Sequence, residues 1–284
     1  MKFWQVLPFM EPRDAIELAV ASDEVGLDGV TVPDHLFYPR DLASPYPYSK
    51  DGKPGFDENT PWPDPWALIS AMAARTKTIR FTTNIYIAPA RDLFTVAKLV
   101  STASVISGGR VALGTGAGWM REEFEQTGQD FDSRGKRLNE MIPLLKRLWA
   151  GDWVEHHGTY YGFNAVKIAP TPDTPIPIWV GGHSPAALRR AVELADGWIG
   201  VDYRVEAAEE VLAKIAKLRA GRTEPFEIIL ALWANIDADL CRRFEDQGVT
   251  GLLCAPAMLA QGDGLQPKID ATRRFADEVV ARAT

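Results

Sequence analysis

Near neutral pH, proton transfer falls to histidine more readily than to any other side chain, and this chain has four. His35 stands in the run Val32-Pro33-Asp34-His35, directly after the β-branched stretch Gly29-Val30-Thr31-Val32. That stretch reads as a buried strand. A histidine just past a strand end can accept a proton from a ligand or donate one to it. Asp34 can order the turn through an Asx-type hydrogen bond. A surface Asp-His pair in a loop is the plain alternative. His156 and His157 lie in an irregular stretch and read as scaffold or solvent-facing.

His183 belongs to a different pattern. In Gly181-Gly182-His183-Ser184-Pro185, two glycines precede an N-capping serine and a proline at the first helical position. Free N–H groups at the positive end of a helix suit a phosphate, and an ordinary capped helix is the alternative. Gly114-Thr115-Gly116-Ala117-Gly118-Trp119 alternates glycines, which lets a ligand approach the backbone. It is not the dinucleotide fingerprint, because Trp119 stands where the third glycine belongs. A tight turn is the alternative there. No His-x-His follows a strand, so no metal is expected. No G-x-S-x-G elbow appears, since Gly182-His183-Ser184-Pro185-Ala186 lacks the last glycine. Together these features fit a bulky, planar, phosphorylated cofactor better than a hydrolytic site.

The elements that must position these residues alternate along the whole chain. Strands are expected at Phe3–Phe9, Gly29–Val32, Ile79–Ile87, Arg110–Leu113, Ile176–Val180, Gly197–Val201, Phe226–Leu232 and Gly251–Cys254. Amphipathic helical patterns separate them, for example Leu138, Met141, Ile142, Leu145 and Leu148 on one face. Eight alternating units with right-handed crossovers close into a (β/α)8 TIM barrel, an α/β fold. Such barrels place their chemistry on the loops after the strands. The third strand is too long to run unbroken in a barrel, so a bulge is expected after Thr83-Asn84. A long loop, roughly 33–63, is inserted after strand 2, and an excursion separates strands 4 and 5. No linker divides the chain, so 1–284 is expected to be a single domain.

Bulk properties narrow the classes. The net charge of −7 opposes nucleic-acid binding, since an acidic surface repels phosphate backbones. The N-terminal apolar run is too short for a signal peptide, and no stretch reaches the roughly 18 apolar residues of a membrane span. Cys241 and Cys254 form no metal or redox spacing and read as buried thiols. A soluble cytoplasmic protein acting on a small-molecule substrate is expected, with no nucleic-acid or membrane partner.

At these residues the chain resembles the bacterial luciferase-like oxidoreductases, in the branch that commonly uses the deazaflavin coenzyme F420. The marks include Val32-Pro33-Asp34-His35-Leu36, Asp64-Pro65-Trp66-Ala67-Leu68, Leu113-Gly114-Thr115-Gly116-Ala117-Gly118-Trp119 with Glu122-Glu123-Phe124, and Pro177-Ile178-Trp179-Val180-Gly181-Gly182. The resemblance implies a luciferase-like barrel that moves a hydride between F420 and a small or medium organic substrate. His35 would be the proton donor or acceptor. It implies cofactor contacts at Asp34, Asn84 and Ile85, with a non-proline cis peptide in the strand-3 bulge behind the ring. It implies further cofactor contacts at Gly114, Thr115 and Gly116, and a phosphate site at Gly181, Gly182, His183 and Ser184. Trp119 and Glu122, with Trp198 and Asp202 after strand 6, would border the substrate pocket. An FMN-dependent monooxygenase using oxygen is the alternative activity, and a non-catalytic flavin-binding protein is the alternative of another class. Related barrels pair as homodimers, and that assembly is expected here.

Overall fold

Punctuation in the sequence sets the elements. The computed structural model describes residues 1–283, and the side chain of Asp202 lies outside the described residues. The parallel strands begin with β1 (Lys2–Val6), β2 (Gly29–Val32), β3 (Arg80–Thr83) and β4 (Val111–Thr115). A hairpin of β5 (Val154–His157) and β6 (Gly162–Val166) forms the excursion. The remaining barrel strands are β7 (Ile178–Gly181), β8 (Gly197–Tyr203), β9 (Glu227–Leu232) and β10 (Gly251–Cys254). The barrel closes because β1 pairs on both edges. Trp4 stands level with Gly29 of β2 and with Leu253 of β10.

Several helices carry a start signal that the chain uses. Pro12 opens α1 (Pro12–Glu24). Asp64 caps α2 (Pro65–Arg75) by accepting from the N–H groups of Trp66 and Ala67. Asp92 caps α3 (Leu93–Ser107), which ends at Gly108 in the left-handed region. The short α4 (Arg121–Gln126) precedes α5 (Arg134–Trp149). Ser184 caps α6 (Pro185–Leu194). Three more follow: α7 (Val205–Leu218), α8 (Ala238–Glu245) and α9 (Leu265–Phe275).

The core has two layers. One lies between strands and helices. The other fills the barrel interior with Trp4, Ala112, Trp179, Ile199, Ile229 and Leu253. The Trp4 and Trp179 indoles meet edge to face at 5.3 Å. Gly29 and Gly197 make the room they need, since a Cβ on either would overlap the facing indole. The barrel floor is therefore solid, and access is from the C-terminal strand ends.

Two expected strands are shorter than their apolar runs. β1 stops at Val6, because Phe9 takes a positive φ of 56° and turns the chain. β3 stops at Thr83, where the Asn84–Ile85 peptide is cis. The chain then enters a short 3-10 turn at Ala88–Ala90. Pairing with β4 resumes at Tyr86, level with Thr115, so four residues on this side span three on β4 and the bulge expected after Thr83-Asn84 is present. Both cysteines are buried and unbridged. Among the described residues no helix is long and apolar enough to cross a membrane, and no cluster of three metal-ligating side chains occurs.

Candidate active site

A cavity of about 1740 Å³ opens over the barrel mouth, lined from the ends of all eight barrel strands. A site for one drug-sized ligand is typically about 300–1,000 Å³. This one has room for two molecules in contact.

His35 sits at one end and is 9% exposed. Its Nδ1 lies 3.1 Å from Oε1 of Glu123, a carboxylate with no solvent exposure. The same oxygen accepts the Leu36 N–H at 2.7 Å, which fixes the carboxylate against the backbone that carries the histidine. A carboxylate on Nδ1 selects the tautomer with its proton there and leaves Nε2 as the acceptor.

Asp34 does not face the cavity alone. Its oxygens accept from Arg91 at 2.7 and 2.8 Å, and from the Ile87 N–H at 2.9 Å. Burial pushes the Asp34 carboxyl up, while Arg91 and the Ile87 N–H pull it back. The two-pronged geometry is that of an ionised pair. Arg91 also stacks over the Tyr86 ring at 4.2 Å. Asp34 therefore ties the β2 end to the segment after the β3 bulge.

Asn84 and Ile85 line the cavity. Gly114, Thr115 and Gly116, expected on the cofactor wall, lie behind them instead. A Cβ on Gly116 would stand 2.1 Å from Ile85 Cδ1, and one on Gly114 would stand 1.8 Å from the Thr83 carbonyl. Thr115 is fully buried and donates to the Tyr86 carbonyl at 2.9 Å. These three residues make room for the bulge and anchor it. Gly181 serves the same end from the other side, since its Cβ would meet Ile85 at 2.7 Å.

At the far end, Gly182 takes a positive φ of 104° and Ser184 accepts from the Ala187 N–H. Trp198, expected at the substrate rim, is buried and donates to the Gly182 carbonyl at 2.8 Å. It shapes the loop from below. Among the described residues, none accepts a hydrogen bond from the N–H of His183, Ser184 or Ala186. Two cations border the same end, Arg134 from α5 and Arg190 from α6. Arg190 is 7% exposed and donates only to Asn139 Oδ1 and the Gly135 carbonyl. Arg134 donates to the carbonyls of Gly118 and Phe131. Burial and the neighbouring Arg134 together press the Arg190 guanidinium below its ordinary value. Two cations held by neutral partners beside a helix N-terminus form an anion site, and Lys136 extends it.

The loop after β2 roofs the space between these ends. Ring contacts run from His35 to Trp119 at 5.7 Å, Trp119 to Tyr46 at 5.1 Å, Tyr46 to Tyr48 at 5.4 Å, and Tyr48 to His183 at 5.3 Å. Glu122 accepts from the N–H groups of Ala43 and Ser44 and so latches this roof to α4. Trp119 and Glu122 both border the cavity. The sequence patterns assign no role to Glu123, Arg91, Arg134 or Arg190. His156 pairs with Glu140, and His157 is exposed.

The model of the luciferase-like monooxygenase family matches residues 4–240. The chain belongs to that family and is a luciferase-like oxidoreductase. It is 37% identical over 273 residues to an uncharacterized protein of Mycobacterium tuberculosis, covering 94% of each chain. It is 33% identical over 192 residues to an F420-dependent glucose-6-phosphate dehydrogenase of Amycolatopsis mediterranei, covering 66% of this chain and 53% of that protein. The fold matches a coenzyme F420-dependent tetrahydromethanopterin reductase from Methanopyrus kandleri, with a TM-score of 0.77, 15% identity and coverage of 100% and 99%.

Proposed function

We propose that this chain is a coenzyme F420-dependent oxidoreductase that transfers a hydride between the deazaflavin and a small or medium organic substrate. The observation that carries this reading is the His35–Glu123 contact, at one end of a cavity that takes two molecules and has an anion site at its other end.

The residues present fit such a cofactor. Gly182, His183 and Ser184 with Arg134 would hold its phosphate, and Arg190 and Lys136 add positive charge beyond what one phosphate requires. F420 carries carboxylates past its phosphate, whereas FMN ends there, so the surplus favours F420. Asn84 and Ile85 would back the ring, with Gly114, Thr115 and Gly116 supporting them from behind. When bound, the deazaflavin supplies a two-electron hydride donor or acceptor.

The chain's own residues do the rest. His35 Nε2 takes the proton of a substrate hydroxyl as its carbon gives up a hydride, or returns it to a carbonyl in the reverse direction. Glu123 holds the imidazole in position and offsets the positive charge it gains. The aromatic roof excludes water and keeps the reactants in contact. Replacing His35 with Ala tests the assignment. Turnover should fall at least about 100-fold with F420 affinity retained, and unchanged turnover would remove His35 from the mechanism.

The second reading is an FMN-dependent monooxygenase using oxygen, and the family's description as luciferase-like monooxygenases favours it. It needs the same phosphate site and is separated by cofactor titration. A homodimer belongs to the proposal and is tested by sedimentation velocity.

A further inference from the structure

The cations of the cavity are distributed unevenly. Arg134, Lys136 and Arg190 share the wall formed by α5 and α6 with the glycine loop before α6. Toward the His35 end, positive charge is compensated. Arg121 is paired with Asp132 at 2.8 Å, and Arg91, behind the His35 end, is held by Asp34 at 2.7 Å. His35 itself stands in an apolar cage. Trp62 meets it edge-on at 4.7 Å, and the Phe56 ring lies 5.1 Å away. Phe9 completes the cage, with its ring 5.3 Å from Trp62.

The rim across the mouth is also apolar. Trp233 is 74% exposed and Leu259 is 82% exposed, and the exposed Met258 shares the same lining. Large apolar side chains left this open at the edge of a cavity mark a surface that binds apolar matter.

We infer that the substrate is an uncharged, mainly apolar alcohol or carbonyl compound, and not a sugar phosphate. The inference rests on the proposed cofactor occupying the α5–α6 wall. With that wall taken, a phosphate dianion near His35 would face the Glu123 carboxylate and the Phe56 and Trp62 rings, and an unpaired buried charge is strongly disfavoured. A sugar's several hydroxyls would also face the Phe9, Phe56 and Trp62 rings, where the Trp62 indole N–H is the spare donor. A cyclic or branched hydrocarbon bearing one oxygen fits both the cage and the single proton-transfer group.

The test uses the full chain without cofactor, in phosphate buffer so that inorganic phosphate fills the anion site. Binding is followed by calorimetry with menthone and carvone as apolar probes and glucose 6-phosphate as the charged one. Menthone or carvone should bind saturably, and glucose 6-phosphate should not displace it. Phe56→Ala should weaken menthone binding about tenfold while leaving F420 affinity within about twofold. Trp233→Ala removes an exposed side chain and threatens no packing. It should weaken menthone severalfold. Displacement of menthone by glucose 6-phosphate would overturn the inference, as would failure of both apolar probes or indifference to both substitutions. Loss of F420 binding with menthone binding intact would instead count against the cofactor assignment alone.

Discussion

Glu123 Oε1 touches His35 Nδ1 at 3.1 Å while holding the Leu36 N–H at 2.7 Å. One carboxylate oxygen thus sets both the tautomer of the ring and the path of the backbone beneath it. Glu123→Gln keeps the shape and removes the charge. We expect kcat to fall about tenfold with KM nearly unchanged. Nitrogen-15 NMR should show the Nδ1-protonated tautomer in the wild type and a mixed population in the variant. A wild-type tautomer unchanged by the substitution would deny Glu123 its positioning role.

The Asp34–Arg91 pair is buried on both sides, at 1% and 10% side-chain exposure. Removing one member of such a pair leaves an uncompensated charge, at a cost of about 3–5 kcal/mol. Arg91→Ala should lower the denaturation midpoint accordingly. Arg91→Ala with Asp34→Ala together should recover part of the loss, because neither charge then remains.

Gly116 faces Ile85 with no room for a methyl group. Gly116→Ala should cost about 1–3 kcal/mol by overpacking and should weaken cofactor binding by shifting the wall at Ile85. Adding Ile85→Ala removes the atom in the way. The double variant should then be more stable than additivity predicts, which a double-mutant cycle measures.

Glu122 latches the roof through Ala43 and Ser44. Burial works to raise its carboxyl, but the hydrogen bonds from the Ser44 side chain and the backbone prevail and hold it below its usual value of 4.5. A lowered carboxyl contributes stability that is complete above pH 4.5 and lost as pH falls through its folded value. Glu122→Ala should therefore speed tryptic cleavage after the exposed Lys50 at pH 7. The stability difference from wild type should vanish in stronger acid.

Much of this architecture could be read from the chain, for physical reasons. The caps Asp64, Asp92 and Ser184 are local signals and act locally. The overlong apolar run at strand 3 announced the bulge, because a barrel strand cannot continue that far. What escaped depends on direction. Glu122 and Glu123 are adjacent on a six-residue helix, so about 100° of rotation separates them. Nothing in so short a pattern says that Glu123 turns toward His35 while Glu122 turns toward the roof. Arg91, Arg134 and Arg190 come together with their partners only through tertiary packing. Gly114, Thr115 and Gly116 stand at the end of β4 but support the wall from behind, and Trp198 lies near the start of β8, below the mouth.

The central claim is most directly tested by titrating the purified chain with F420 and with FMN while following fluorescence. F420 should bind saturably and at least about tenfold tighter than FMN, since carboxylates beyond the phosphate engage Arg190 and Lys136. Tight FMN binding with none for F420 would contradict it.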